Sequence, residues 1–373
     1  MHTPLESYLH QMIQENGPIP FDRFMNEALY HPQWGYYESK QTLIGKGGDF
    51  QTSVSNGPVF GELLARQFLD WSVLDSTTQW LECGAHHGQL AEDILETMAS
   101  MDSKKAQQIS YLIFEPSRKR RSIQQERLKR FGSNVSWVSK WDEVKARFRQ
   151  GVIFSNELLD AFPTKRFEWD SSSDSWCEFF VSSNQDQFQW YLQPTDQKVP
   201  ETLLSKAEFE QLKTILPDHY TIERSLVAEK WWHEAAKHLE RGHLVTIDYG
   251  FMDKFEKFAP QRSNGTLRTY SRHRVGDDVL SKPGQVDLTA HVDFPSLKKI
   301  GENQGLKTEG LISQEKFMHG CLEKALIQGM QLSPKQMAQF RTLMHPEHFG
   351  KSFKVLIQSK LESQSNLLKP NSK

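Results

Sequence analysis

Carboxylates and an amide recur where apolar runs of this chain stop. Glu82 lies at the end of residues 79–83, Glu115 follows 109–114, Asn156, Glu157 and Asp160 follow 151–155, and Asp248 follows 243–247. If these runs are buried strands of one parallel sheet, their polar groups share its carboxyl edge, where open α/β sheets bind ligands. An acid after the second strand can accept hydrogen bonds from both hydroxyls of an adenosine ribose, in a nicotinamide dinucleotide or in S-adenosylmethionine. Two carboxylates and an amide within 156–160, closed by Pro163, are a poor choice for packing and a good one for holding a polar substrate. Glu82 and Asp248 suit a ligand and a loop brace equally well.

The first strand runs into Gly84-Ala85-His86-His87-Gly88 and then into helical spacing at Leu90, Ala91, Ile94 and Leu95. Such a glycine loop lets backbone approach a ligand closely. A pyrophosphate favours a three-glycine turn at a helix amino terminus, whereas S-adenosylmethionine carries no phosphate. With His86 at the middle glycine position, the loop favours the methyl donor. Adjacent His86 and His87 have no further ligand motif nearby, so no metal site is expected.

The positioning elements follow from periodicity. Helical spacing marks residues 4–14, 21–29, 58–71, 117–131, 226–239 and 314–330, and short apolar runs mark strands at 79–83, 109–114, 135–138, 151–155 and 243–247. Strands alternating with helices predict an α/β fold with a mostly parallel sheet. A final run at 352–359 closes it. Between the fourth and fifth strands lies an excursion of about 80 residues, more than one crossover needs, with period-two segments at 166–169, 176–181 and 188–192. A second excursion, 251–305, is polar and shows little periodicity. The chain therefore divides into a helical cap with a loop at 1–78, a core at 79–362 interrupted at 166–240 and 251–305, and a disordered tail at 363–373.

The 373 residues carry 45 basic and 47 acidic side chains, which gives no argument for a nucleic-acid or membrane partner. Cys83, Cys177 and Cys321 stand apart and read as reduced thiols of a cytoplasmic protein. No apolar run reaches transmembrane length.

Several ordered motifs carry a resemblance: His31-Pro32 to Tyr37, Gly48-Asp49-Phe50 with Thr52-Ser53, Phe60-Gly61-Glu62, Asn156-Glu157 with Asp160-Ala161 and Pro163, Asp248-Tyr249-Gly250, Thr266-Leu267-Arg268, and Asp287 to Ala290 with Val292 to Phe294. Together they resemble the MidA-like family of S-adenosylmethionine-dependent methyltransferases, whose mitochondrial members act in assembly of respiratory complex I. The resemblance implies a Rossmann-like, class I methyltransferase core with a mostly parallel seven-stranded sheet. It implies S-adenosylmethionine as donor and a protein arginine, for example of a respiratory complex subunit, as acceptor. The family's Glu-Leu-Gly-Pro-Gly-x-Gly is Glu82-Cys83-Gly84-Ala85-His86-His87-Gly88 here, so a side chain at residue 86 narrows the donor pocket.

On this reading Glu157 and Asp160 fix the planar guanidinium and Asn156 orients it. Glu115 holds the donor ribose, Gly84 and Gly88 bracket its methionine part with Glu82 behind them, and Asp49 covers the site. The rival readings are an assembly factor that has lost the donor, a nicotinamide-dependent oxidoreductase, and a methyltransferase of small molecules. The antiparallel excursion supplies a protein-docking surface or a homodimer contact.

Overall fold

The computed structural model describes residues 2–38, 52–72, 78–101, 108–196, 204–271 and 274–361. Asp49 and the tail 363–373 lie outside the described residues. The strands read from the sequence all form. Thr78–Cys83 lies between Ile109–Phe114 and Gln150–Asn156, parallel to both, Val135–Val138 extends the sheet on one side and Arg241–Phe251 on the other, again in parallel. Phe353–Lys360 runs antiparallel between Arg241–Phe251 and Lys307–Ser313. The two-residue strand Val292–Asp293 pairs beside the end of Arg241–Phe251. The result is an eight-stranded mixed sheet, where the sequence predicted seven mostly parallel strands. The extra strand is too short to leave a periodicity.

Successive residues of the central strands serve opposite faces. Trp80, Tyr111, Phe154 and Val355 join a core with the helices Val59–Trp71, Gln89–Met101, Gln314–Ile327 and Pro334–Met344. Leu81, Leu112, Ile153, Leu244 and Leu356 join the opposite core with Trp141–Arg147, Leu226–His238 and Phe294–Asn303. Burial on both faces explains why these strands read as continuous apolar runs. Trp231 and Trp232 are packing residues, and the Trp232 Nε1–H donates to Gln358 Oε1 at 2.9 Å.

The first excursion forms a separate antiparallel sheet. Lys165–Asp170 pairs with Ser175–Asn184 and Thr221–Arg224, and Ser175–Asn184 also pairs with Gln187–Pro194 and Ile19–Pro20. The cap helices Pro4–Asn16 and Phe21–Tyr30 cover it, with Leu5, Leu9, Phe24 and Val181 in one cluster. Thr3 and Glu6 close the first helix with a reciprocal capping box. The second excursion is more ordered than its sequence indicated. It holds the small sheet of Arg268–Ser271, Arg274–Gly276 and Asp287–Thr289 and the helix Phe294–Asn303, whose Asp293 side chain accepts from Ser296 N–H at 3.1 Å.

Candidate active site

The chain leaves Thr78–Cys83 toward one side of the sheet for the next two strands, then returns to the other side with Gln150–Asn156. This reversal makes the ends of the first and fourth strands, at Gly84 and Glu157, the switch point of the strand order, the place where open α/β sheets bind ligands. Gly84 and Gly88 sit at φ 77° and 80°. A Cβ on Gly84 would come within 2.8 Å of Leu158 Cδ1, so the loop and the end of the fourth strand touch. His86 takes φ 47°, a left-handed conformation at the position where glycine was expected. Its Nε2 is buried without a hydrogen-bond partner. Burial, then the Arg120 charge, holds its imidazole well below the usual range and therefore neutral.

The second strand delivers Glu115, which is 5% exposed. Its carboxylate accepts from Ser117 N–H at 2.9 Å and from Gln124 Nε2 at 3.0 Å. Gln124, fully buried on the helix Arg118–Leu128, also donates to the His86 carbonyl at 2.9 Å and accepts from Trp137 Nε1 at 2.9 Å. One side chain thus ties the glycine loop to the second and third strands. Burial pushes the Glu115 carboxyl up, against the Arg120 charge. Arg120 donates to the Tyr37 carbonyl at 2.8 Å and lies over the Tyr37 ring, joining the cap to this edge. Glu82 accepts from Tyr111 Oη at 2.7 Å, and burial pushes it up to about 7.

Asn156, Glu157 and Asp160 come together at the end of the fourth strand. Glu157 has φ 51°, with its N–H bonded to Ile247 O at 2.9 Å. Its Oε1 accepts from Asn156 Nδ2 at 3.0 Å and from Ser53 N–H at 3.1 Å, bringing the cap's Thr52-Ser53 motif to this point. Although the residue keeps some exposed surface, burial of the carboxyl pushes Glu157 up to about 8. Asp160 is 7% exposed and is raised to about 6 by burial. Asn156 Oδ1 and Asp160 Oδ1 have no hydrogen-bond partner.

Asp248 braces this mouth. Its Oδ2 accepts from the N–H groups of Leu158, Leu159 and Asp160 at 3.2, 2.9 and 3.3 Å, and its Oδ1 from Tyr249 N–H at 2.9 Å. Burial and the Asp160 and Glu157 charges push its carboxyl upward, while four N–H donors favour the ionised form. The Thr266-Leu267-Arg268 motif is a second brace. Thr266 donates from N and Oγ1 to Glu223 Oε2 and accepts from His291 N–H at 3.1 Å. Sequence reasoning missed Gln124, Ser53 and Glu223 as individual residues, since each acts through contacts remote in the chain.

A left-handed turn that needs glycine, a buried acid at the second strand end and an uncharged loop suit S-adenosylmethionine as the ligand. Among the described residues no group of three or more His, Cys, Asp or Glu is placed to hold a metal. The solved structure of a COG1565 superfamily member from Burkholderia thailandensis bound to S-adenosyl-homocysteine is similar at 27% identity and a TM-score of 0.81, over 97% of this chain and 96% of that one. Curated relatives include the mitochondrial protein arginine methyltransferase NDUFAF7 of rat, 26% identical over 94% of this chain and 83% of its own length, and that of zebrafish, 26% identical over 97% and 89%. The cytoplasmic expectation falls here, because these relatives are mitochondrial. The isolated thiols behind it are compatible with any reducing compartment. Residues 63–312 match the Methyltransf_28 family of S-adenosyl-L-methionine-dependent methyltransferases, and the chain belongs to that family.

Proposed function

We propose that this methyltransferase transfers the methyl group to a protein arginine, with Asn156, Glu157 and Asp160 as the acceptor mouth. The observation that carries the reading is the pair of buried, unpartnered oxygens, Asn156 Oδ1 and Asp160 Oδ1, next to Glu157. Buried acceptors are normally satisfied. Among the described residues no lysine or arginine pairs with Glu157 or Asp160, so a guanidinium arriving with several N–H donors supplies what the mouth lacks. The arginine methyltransferase relatives point to the same acceptor.

S-adenosylmethionine, when bound, supplies an electrophilic methyl group. The chain contributes position and charge. Glu157 and Asp160, once ionised, hold the planar fork and draw its positive charge away from the nitrogen that attacks. One of them accepts the proton that this nitrogen sheds. The backbone N–H of Ser53 holds Glu157 in place, and Asp248 keeps residues 158–160 in a fixed turn. On the donor side Glu115 takes the ribose hydroxyls, Gly84 and Gly88 bracket the methionine part with Glu82 behind them, and Asp49 belongs to the cover. The finer architecture follows: a cap with donor cover at 1–78 and a class I core at 79–362 interrupted by 166–240 and 251–305, in which Val292–Asp293 supplements seven main strands. A respiratory complex subunit is the leading acceptor class.

The test is incorporation of isotope-labelled methyl into arginine of host protein by the wild type and by a Glu157→Gln, Asp160→Asn double variant that still binds S-adenosylhomocysteine. Loss of incorporation in the variant supports the assignment. Equal incorporation removes these residues from the acceptor mouth.

A further inference from the structure

Toward the amino-terminal end of Arg241–Phe251, away from the methyl-transfer site, lies a groove of about 520 Å³, within the usual range of about 300–1,000 Å³ for ligand pockets. It opens between the helices Val59–Trp71 and Gln314–Ile327, over the strands Arg241–Phe251, Phe353–Lys360 and Lys307–Ser313. His243 lines it. Asp248, the brace of the acceptor mouth, follows in the same strand, about 17 Å away at roughly 3.3 Å per residue.

Two buried polar groups of the lining lack partners. Gln67 is 6% exposed. Its Oε1 accepts from Lys324 Nζ at 3.4 Å and from Cys321 Sγ at 3.8 Å, which fixes the orientation of the amide and leaves Nε2 unpaired. His243, 7% exposed, stacks on Trp71 with centroids 4.4 Å apart, and its Nδ1 is unpaired as well. Burial holds this imidazole down at about 4, against the Glu309 charge, so near neutral pH the ring carries one proton that Nδ1 can hold. Buried donors are normally satisfied.

Gly320 is an independent mark. It stands inside Gln314–Ile327, where glycine is destabilising relative to alanine. Among the described residues, no atom outside its own helix lies within 4 Å of where a Cβ would sit, so no protein neighbour requires the glycine. What its missing side chain does is keep the groove open.

We propose that this groove binds a small amphipathic carboxylate. Ile312, Phe317 and Ile357 receive the apolar body, and the carboxylate oxygens accept from Gln67 Nε2 and His243 Nδ1. The charge of the lining selects the anion: Lys307, Lys316 and Lys324 stand against the acid Glu309, in a chain whose net charge is −2. A neutral apolar molecule would leave the buried donors unsatisfied, and an inorganic anion would leave the apolar floor in water.

Isothermal titration calorimetry of the full chain with octanoate, hexanoate, octanol and acetate tests the proposal. Octanoate is expected to saturate one site. Hexanoate should bind about tenfold more weakly, since each buried methylene is worth about fourfold. Octanol, without the charge, should also lose about tenfold, and acetate should give no binding. Saturating S-adenosylhomocysteine should leave octanoate bound. Gly320→Leu, whose side chain fills the groove, should abolish octanoate binding at unchanged melting temperature and S-adenosylhomocysteine affinity. Lys316→Glu, on the exposed surface, should weaken octanoate several-fold and leave octanol unchanged. A wild type without saturable octanoate binding overturns the proposal, as does octanol that binds as tightly as octanoate. So does displacement of octanoate by S-adenosylhomocysteine, or wild-type octanoate affinity in either variant.

Discussion

Replacing His86 with glycine should stabilise this protein in the absence of donor. His86 holds φ 47°, which costs an L-residue about 1–2 kcal/mol relative to glycine. Its Nε2 is buried without a partner, a penalty of about 1–3 kcal/mol that glycine removes. Against this stand about 0.5–1 kcal/mol for the extra freedom of glycine in the unfolded chain and roughly 1 kcal/mol for lost ring packing. At the middle of these ranges the balance favours glycine by about 2 kcal/mol, and a chain of 373 residues unfolds with about 0.8 kcal/mol per degree, so the melting temperature should rise by about 2 °C. His86→Ala relieves the nitrogen and keeps the strain, so it should fall below glycine. Differential scanning calorimetry without ligand reads all three. A glycine variant that melts about 2 °C or more below wild type would refute the reasoning, because the ring would then contribute more than its strain costs. A parallel titration with S-adenosylhomocysteine should show tighter binding by the glycine variant, since residue 86 is expected to narrow the donor pocket.

Other outcomes follow from the same contacts. With Asp160 raised to about 6 and Glu157 to about 8, kcat/KM should climb as pH rises through this range and level off above it; Glu157→Gln should lose the upper leg. The stability sign is opposite. Carboxyls raised in the folded state bind extra protons there, so Glu82, Asp160 and Glu157 contribute stability that is fully present below their unfolded values and is lost as pH rises through their folded values, and the melting temperature should fall from pH 5.5 to 8.5. Gln124→Leu leaves Glu115, the His86 carbonyl and Trp137 each one hydrogen bond short, at a cost of about 2–4 kcal/mol in urea unfolding, and should weaken S-adenosylhomocysteine binding. Asp248→Ala removes the acceptor for three successive N–H groups, so the amides of residues 158–160 should exchange faster than those of the strand before them.

The strand ends were legible because the core strands are apolar on both faces and stop at glycine or acids. Ile109–Phe114 and Arg241–Phe251 needed no tertiary information to be found. The helix Phe294–Asn303 was missed, although Asp293 and Pro295 mark its start, because its apolar face is only Phe294, Leu297 and Ile300. Strands as short as Asp287–Thr289 leave no period to read. Glu115, Asn156, Glu157 and Asp160 were recognised as site candidates from their places at strand ends. Gln124 was invisible, since the helix around it is among the most polar in the chain and its burial depends on Glu115 and the glycine loop. For Asp248 the sequence left ligand and brace equally open, and only the folded turn shows that it binds backbone.

Quantitative mass spectrometry of arginine methylation in the host proteome, with the gene present, deleted and restored as the Glu157→Gln, Asp160→Asn form, tests the central claim most directly. The account expects one methylarginine that disappears on deletion, returns with the wild-type chain and does not return with the variant. A methylarginine complement that is the same in all three strains would contradict it.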